Sequence, residues 1–72
     1  MKINSAETKY RQLNDFIRGE MRRKKIKQET VAKKLHIPRS SVSKRLSGDV
    51  DWLAKEIIVV FDLLGVDNNW NS

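Results

Sequence analysis

The sequence has no cysteine, one histidine, one proline and three glycines. Without cysteine, neither a disulfide nor a thiolate metal site can brace the chain, and these are the usual staples of a small domain. One histidine excludes the common structural zinc arrangements. No run approaches the ~18 uncharged apolar residues of a membrane-spanning helix, and nothing at the start reads as a signal peptide. A soluble, cytoplasmic protein is expected. Catalytic chemistry is missing too: the only histidine lies in a turn without a nucleophile beside it, and no glycine-rich loop is present to cradle a phosphate. The chain is also too short to enclose a sizeable pocket. No enzyme activity, cofactor, metal or small-molecule substrate is expected.

What is present is charge and helical periodicity. The net charge of +6 is divided unevenly. Residues 1–48 hold fourteen lysines and arginines against Glu7, Asp15, Glu20 and Glu29, a net of +10. Residues 49–72 hold Lys55 against Asp49, Asp51, Glu56, Asp62 and Asp67, a net of −4. A basic body with an acidic end suits a polyanionic partner for the first part, or simply a well-solvated surface.

With 72 residues, the chain is read as one domain, residues 1–72, whose core must come from helix packing. A first helix is expected over about 5–24. Asn4 and Glu7 can form a capping box, and Tyr10, Leu13, Phe16, Ile17 and Met21 recur on one face. Arg22, Arg23, Lys24 and Lys25 close it, where cations complement the negative end of the helix dipole; contact with DNA phosphates is the alternative use of that run.

Residues 28–48 organise the rest. A second helix over about 28–35 turns Val31, Ala32 and Leu35 inward. Lys27, at its N-cap, is a poor cap. His36 and Ile37 make a turn, and Pro38 suits the start of a third helix over about 39–47, which Gly48 ends. Val42 and Leu46 share the inward side of that helix. Arg39, Ser40, Ser43, Lys44 and Ser47 fall together on another side. Arginine can read guanine edges bidentately, and serine can bond a base or a phosphate.

A fourth helix is expected over about 51–64, capped by Asp49 or Asp51 and stopped at Gly65. Its inward face is read as Leu53, Ala54, Ile57, Val60, Phe61 and Leu64. The β-branched run 57–60 has strand character, but the cap, the stop and the length favour a helix. Trp52, Val59 and Leu63 line up as a second apolar stripe, either an interface or a face packed on the body. Val66 is read as core, with Asp67 capping a short turn over 67–71 that returns Trp70. The fold class is therefore all-α, a compact bundle of four to five short helices.

The run Ile26-Lys27-Gln28-Glu29-Thr30-Val31-Ala32-Lys33-Lys34-Leu35, followed by Ile37, Arg39-Ser40-Ser41-Val42-Ser43 and Gly48, resembles the lambda-repressor/Cro (XRE-type) helix-turn-helix family. The resemblance covers roughly residues 13–66. It implies a helix-turn-helix bundle that binds double-stranded operator DNA, usually as a homodimer, inside a bacterial host cell. Base contacts then map to Arg39, Ser40, Ser43 and Lys44 in the third helix. Phosphate contacts map to Gln28, which also buttresses Arg39, and to Ser47; Lys27 and Arg45 are read as further phosphate contacts, Arg45 along the rim with its stem packed and its head on a phosphate. The small size is similar to Cro-like and modulator-of-repression (antirepressor) proteins of temperate phages. That likeness implies an alternative, a heteromer with a phage-type repressor; the apolar stripe and the acidic 49–72 segment offer Trp52, Val59, Leu63 and Trp70 as its interface, or that of a homodimer. Three positions depart from the family pattern: His36 stands where glycine is usual, Arg45 where an apolar residue is usual, and Lys27 where serine is usual. Histidine tolerates positive φ better than most side chains, so a structural role for His36 is preferred over a pH switch.

Overall fold

The computed structural model describes residues 5–66, with side chains from Arg11 onward. Among these residues there are four helices and no strand: α1 Ser5–Lys24, α2 Gln28–Leu35, α3 Arg39–Ser47 and α4 Ala54–Leu64. The expected Asn4–Glu7 cap, the placement of Tyr10 and the 67–71 turn with Asp67 and Trp70 lie outside what is described.

All four helices end in the same motif. A residue in the left-handed region follows each one: Lys25 (φ 58°), His36 (φ 59°), Gly48 (φ 90°) and Gly65 (φ 70°). The next N–H then reaches back five residues: Ile26 to Met21 O (2.8 Å), Ile37 to Ala32 O (3.1 Å), Asp49 to Lys44 O (2.9 Å) and Val66 to Phe61 O (2.9 Å). This Schellman arrangement satisfies carbonyls that the helix leaves unpaired, and an apolar residue after the left-handed position commonly seals it. Ile26, Ile37 and Val66 fill that role, each half-buried against the core. His36 thus stands where a side chain costs ~1 kcal/mol or more relative to glycine.

The core draws on every element. Ile17 from α1, Val31 from α2, Val42 from α3 and Val60, Phe61 and Leu64 from α4 are essentially inaccessible. Leu13, Met21, Ala32, Leu46 and Trp52 complete it. Each large side chain contributes ~1.5–3 kcal/mol of transfer free energy. α2 packs against α3 and α4, and α1 against α3 and α4. Phe16 meets Phe61 with ring centroids 5.9 Å apart and planes tilted by 58°, a geometry that aromatic quadrupoles favour.

The start of α4 differs from expectation. The helix begins at Ala54, and its N-cap is Leu53. Asp49 and Asp51 cap nothing there, because the N–H groups of Asp49 and Val50 are still bound to Lys44 O in ending α3. Glu56 supplies the missing partner by reaching back, its Oε1 accepting from the Leu53 N–H at 2.9 Å. Leu53 and Ala54, expected inside, are exposed.

Among the described residues, three polar side chains are buried: Asn14, Glu20 and Glu56. Glu56 pairs with Arg45, Oε1 to Nε at 2.9 Å and Oε2 to Nη2 at 3.2 Å. Burial pushes the Glu56 carboxyl up, but the Arg45 and Leu53 hydrogen bonds and the charges of Arg45 and Lys55 outweigh it. The net result is a carboxyl held below its ordinary value. Asn14 uses both ends of its amide: Oδ1 accepts from Trp52 Nε1 at 2.7 Å, and Nδ2 donates to Arg45 O at 3.0 Å. α1 is thereby tied to the exit of α3 and to the segment that follows it.

Candidate nucleic-acid interface

The inward side chains of α3, Val42 and Leu46, are locked in the core, which fixes what the helix shows outside. Arg39, Ser40, Ser43, Lys44 and Ser47 are all exposed. Arg39 and Lys44 form no ion pair among the described residues, so both cationic heads are free. Ser47 Oγ donates to Lys44 O at 3.0 Å, which occupies its proton but leaves its oxygen able to accept. Ser41, on the flank, is half-buried.

Beside this face lies an open groove of about 430 Å³. Its floor is Met21, Ile26 and Leu46; its walls are Arg18 and Arg22 from α1, Lys27, Gln28 and Glu29 from the start of α2, and Arg39 from α3. Four cations against one carboxylate make it strongly basic, and it brings Gln28 and Arg39 to one site. Lys27 holds extended backbone at the α2 N-cap, with no side-chain bond to the helix.

Two assignments are corrected. Arg45, mapped to a phosphate, turns inward: its side chain is 15% exposed, its Nε and Nη2 bind Glu56, and its Nη1 donates to Ser41 O at 3.2 Å. The charge of Arg45 is matched by a carboxylate from the next helix, and three of its five N–H donors are engaged within the domain. The stripe of Trp52, Val59 and Leu63 is not one exposed surface either. Trp52 precedes α4 and is 4% exposed, because Asn14 inside the core receives its indole N–H. Val59 and Leu63 are half-buried, Leu63 against the core. Trp70 lies outside the described residues. Among the described residues, the large apolar side chains that do face solvent are Val50, Leu53 and Ile58, at 40, 53 and 55%.

Arg18 and Glu29 have no site role in the sequence reading, and Arg22 enters it only within the basic run 22–25, where phosphate contact is one of two uses. The four-residue spacing of Arg18 and Arg22 puts both on one face of α1, next to the apolar positions Ile17 and Met21, and that was the available signal.

Among the described residues, no group of three metal-ligating side chains is assembled, and no helix is long and apolar enough to cross a membrane. Comparison with known proteins produced no match to a family model, a curated protein or a solved structure.

Proposed function

We propose that the protein is a small DNA-binding transcriptional regulator of helix-turn-helix type, which lays α3 in the major groove of an operator. The supporting observation is the division of α3. Its two apolar residues are sealed in the core, while Arg39, Ser40, Ser43 and Lys44 stand exposed beside a basic groove. An α-helix with its side chains is ~10–12 Å across, which fits a major groove ~12 Å wide. Arg39 and Lys44 offer donors to guanine edges, the serine hydroxyls bond either base or phosphate, and small serines between the cations let the backbone approach closely. Lys27 and Gln28 take phosphates at the groove's edge. A homodimer would present two copies of α3 to a two-fold operator.

Titration of labelled duplexes, including the protein's own promoter region, across a salt series tests this reading, with light scattering for the oligomer. Arg39→Ala is expected to cost ~1–3 kcal/mol and relax preference at one base position. Unchanged affinity in both Arg39→Ala and Lys44→Ala refutes direct readout by α3.

A second reading is an antirepressor that binds a partner repressor. The observation favouring it is the exposed Val50, Leu53 and Ile58 within the acidic part of the chain, where Asp49, Asp51 and Asp62 are also exposed. Such a surface complements the basic DNA-binding face of a repressor. Leu53→Ser and Ile58→Ser then weaken the heteromer while the domain stays folded. An intact heteromer in both variants removes this reading.

A further inference from the structure

The basic run that closes α1 is four residues long, and the fold gives its members different work. Arg23 bonds Glu20 at 2.5 Å. Lys24 pairs with Glu20 at 3.2 Å, and its Nζ donates to Leu64 O, holding the end of α4. Lys25 is the left-handed residue that ends α1. Arg22 forms no hydrogen bond or ion pair among the described residues, is exposed, and lines the groove with Arg39 and Lys27. Dipole complement accounts for the run as a group, but not for one free guanidinium in the wall of this groove.

Arg18, a turn earlier, stands in the same wall but is already engaged. Its Nη2 bonds Asp15 at 2.8 Å and its Nη1 donates to Leu46 O at 3.4 Å. It adds positive charge with little freedom to reach a ligand. Glu29 is the one carboxylate among the described lining residues. The occupant that suits this set is anionic, elongated and hydrated, since the groove is open and its charged heads are at the rim.

We propose that the groove seats the sugar–phosphate backbone of duplex DNA, with Arg22 contacting a phosphate, so that the footprint runs from α3 across the start of α2 onto α1. This rests on the DNA-binding reading above and extends it to a residue outside the α2–α3 pair. Glu29 acts in the opposite sense, as a carboxylate that repels the same backbone and limits affinity without reading sequence.

The test measures affinity for two probes, a short mixed-sequence duplex and the promoter duplex, between about 50 and 200 mM salt. Losing one phosphate contact reduces the slope of log K against log salt by about 0.9, or roughly eightfold in affinity at 0.1 M. Arg22→Gln is expected to show that loss equally on both probes. Arg23→Gln, the same charge change at a residue paired with Glu20, is expected to show much less. Glu29→Gln is expected to raise affinity about two- to fivefold on both. Thermal unfolding checks that each variant is folded; all three sites are exposed. If wild type binds and Arg22→Gln keeps its full salt slope, the groove contact is wrong and the α3 reading stands. Equal losses in Arg22→Gln and Arg23→Gln reduce the effect to net charge and also overturn it. If wild type binds neither duplex at any salt, both readings fall together.

Discussion

Arg45→Met removes the guanidinium and leaves Glu56 buried with a carboxylate that has lost its main partner. The two side chains are 15% and 9% exposed, so solvent cannot replace the pair. Breaking a buried pair from one side typically costs ~3–5 kcal/mol, a large share of the ~4–11 kcal/mol expected for a domain of this size. At ~4–8 °C per kcal/mol, the melting temperature falls by at least ~12 °C. Thermal unfolding followed by circular dichroism at neutral pH reads that number.

The pH dependence is the sharper part. In wild type the carboxyl is held below its ordinary value, so its stabilising contribution is complete above the usual Glu range near pH ~4.3. That contribution is lost as pH falls through the lowered value. In Arg45→Met, burial, the largest influence on the carboxyl, remains while the guanidinium's hydrogen bond and charge are gone, so the carboxyl is expected to be pushed up against the Leu53 N–H and Lys55 that still lower it. Its stability is then greatest in mild acid and lost as pH rises through the raised value. The gap between the two proteins should therefore narrow from pH 7 towards pH 5. Arg45→Met/Glu56→Gln, which keeps an acceptor for the Leu53 N–H, should recover more than half of the loss. A gap under ~1 kcal/mol at pH 7, or one that does not change with pH, refutes this account of the pair.

Replacing His36 with glycine relieves a left-handed backbone position and should stabilise the domain by ~0.5–1 kcal/mol, a rise of several degrees in melting temperature; no rise means that the imidazole makes a compensating contact. Asn14→Leu removes the Oδ1 acceptor of the Trp52 indole N–H, at ~1–3 kcal/mol, while the Arg45 carbonyl keeps the Gly48 N–H at 3.2 Å. Chemical denaturation should show a lower midpoint, and a midpoint within error of wild type would count against the network. Because Arg45 is turned inward, Arg45→Met assayed where it is still folded should keep the wild-type salt slope on DNA; a slope reduced by about 0.9 would return Arg45 to the interface.

α2 and α3 could be delimited from the sequence because local signals mark them: Pro38 at one boundary, Gly48 at another, and an apolar pattern fitting one helical period between. The start of α4 could not. Two aspartates before a hydrophobic run look like caps, and nothing local shows that the backbone of Asp49 and Val50 is still committed to ending α3, or that Glu56 caps from the other direction. Arg45 presents the same difficulty at longer range. Its charge is plain in the sequence, but its partner lies eleven positions on, in a different helix, and only packing brings them together. Trp52 looked surplus because Asn14, an ordinary polar residue in a helical run, gave no sign of being buried thirty-eight residues away with an acceptor ready for an indole. On the candidate interface, the polar side of α3 follows from periodicity, whereas the α1 wall of the groove depends on how two helices cross.

The Asn14 bridge has one more consequence. Its bonds are between neutral dipoles, so ionic strength does not screen them and pH does not titrate them. The surface of α3 and the adjoining groove is the reverse, a set of full charges whose attraction for a polyanion weakens with every increment of salt. On the proposed DNA-binding reading, rising salt should therefore strip a nucleic acid from the domain while α1 and the exit of α3 keep their alignment. Release then needs no refolding for recapture, and the two processes can be titrated separately in one sample.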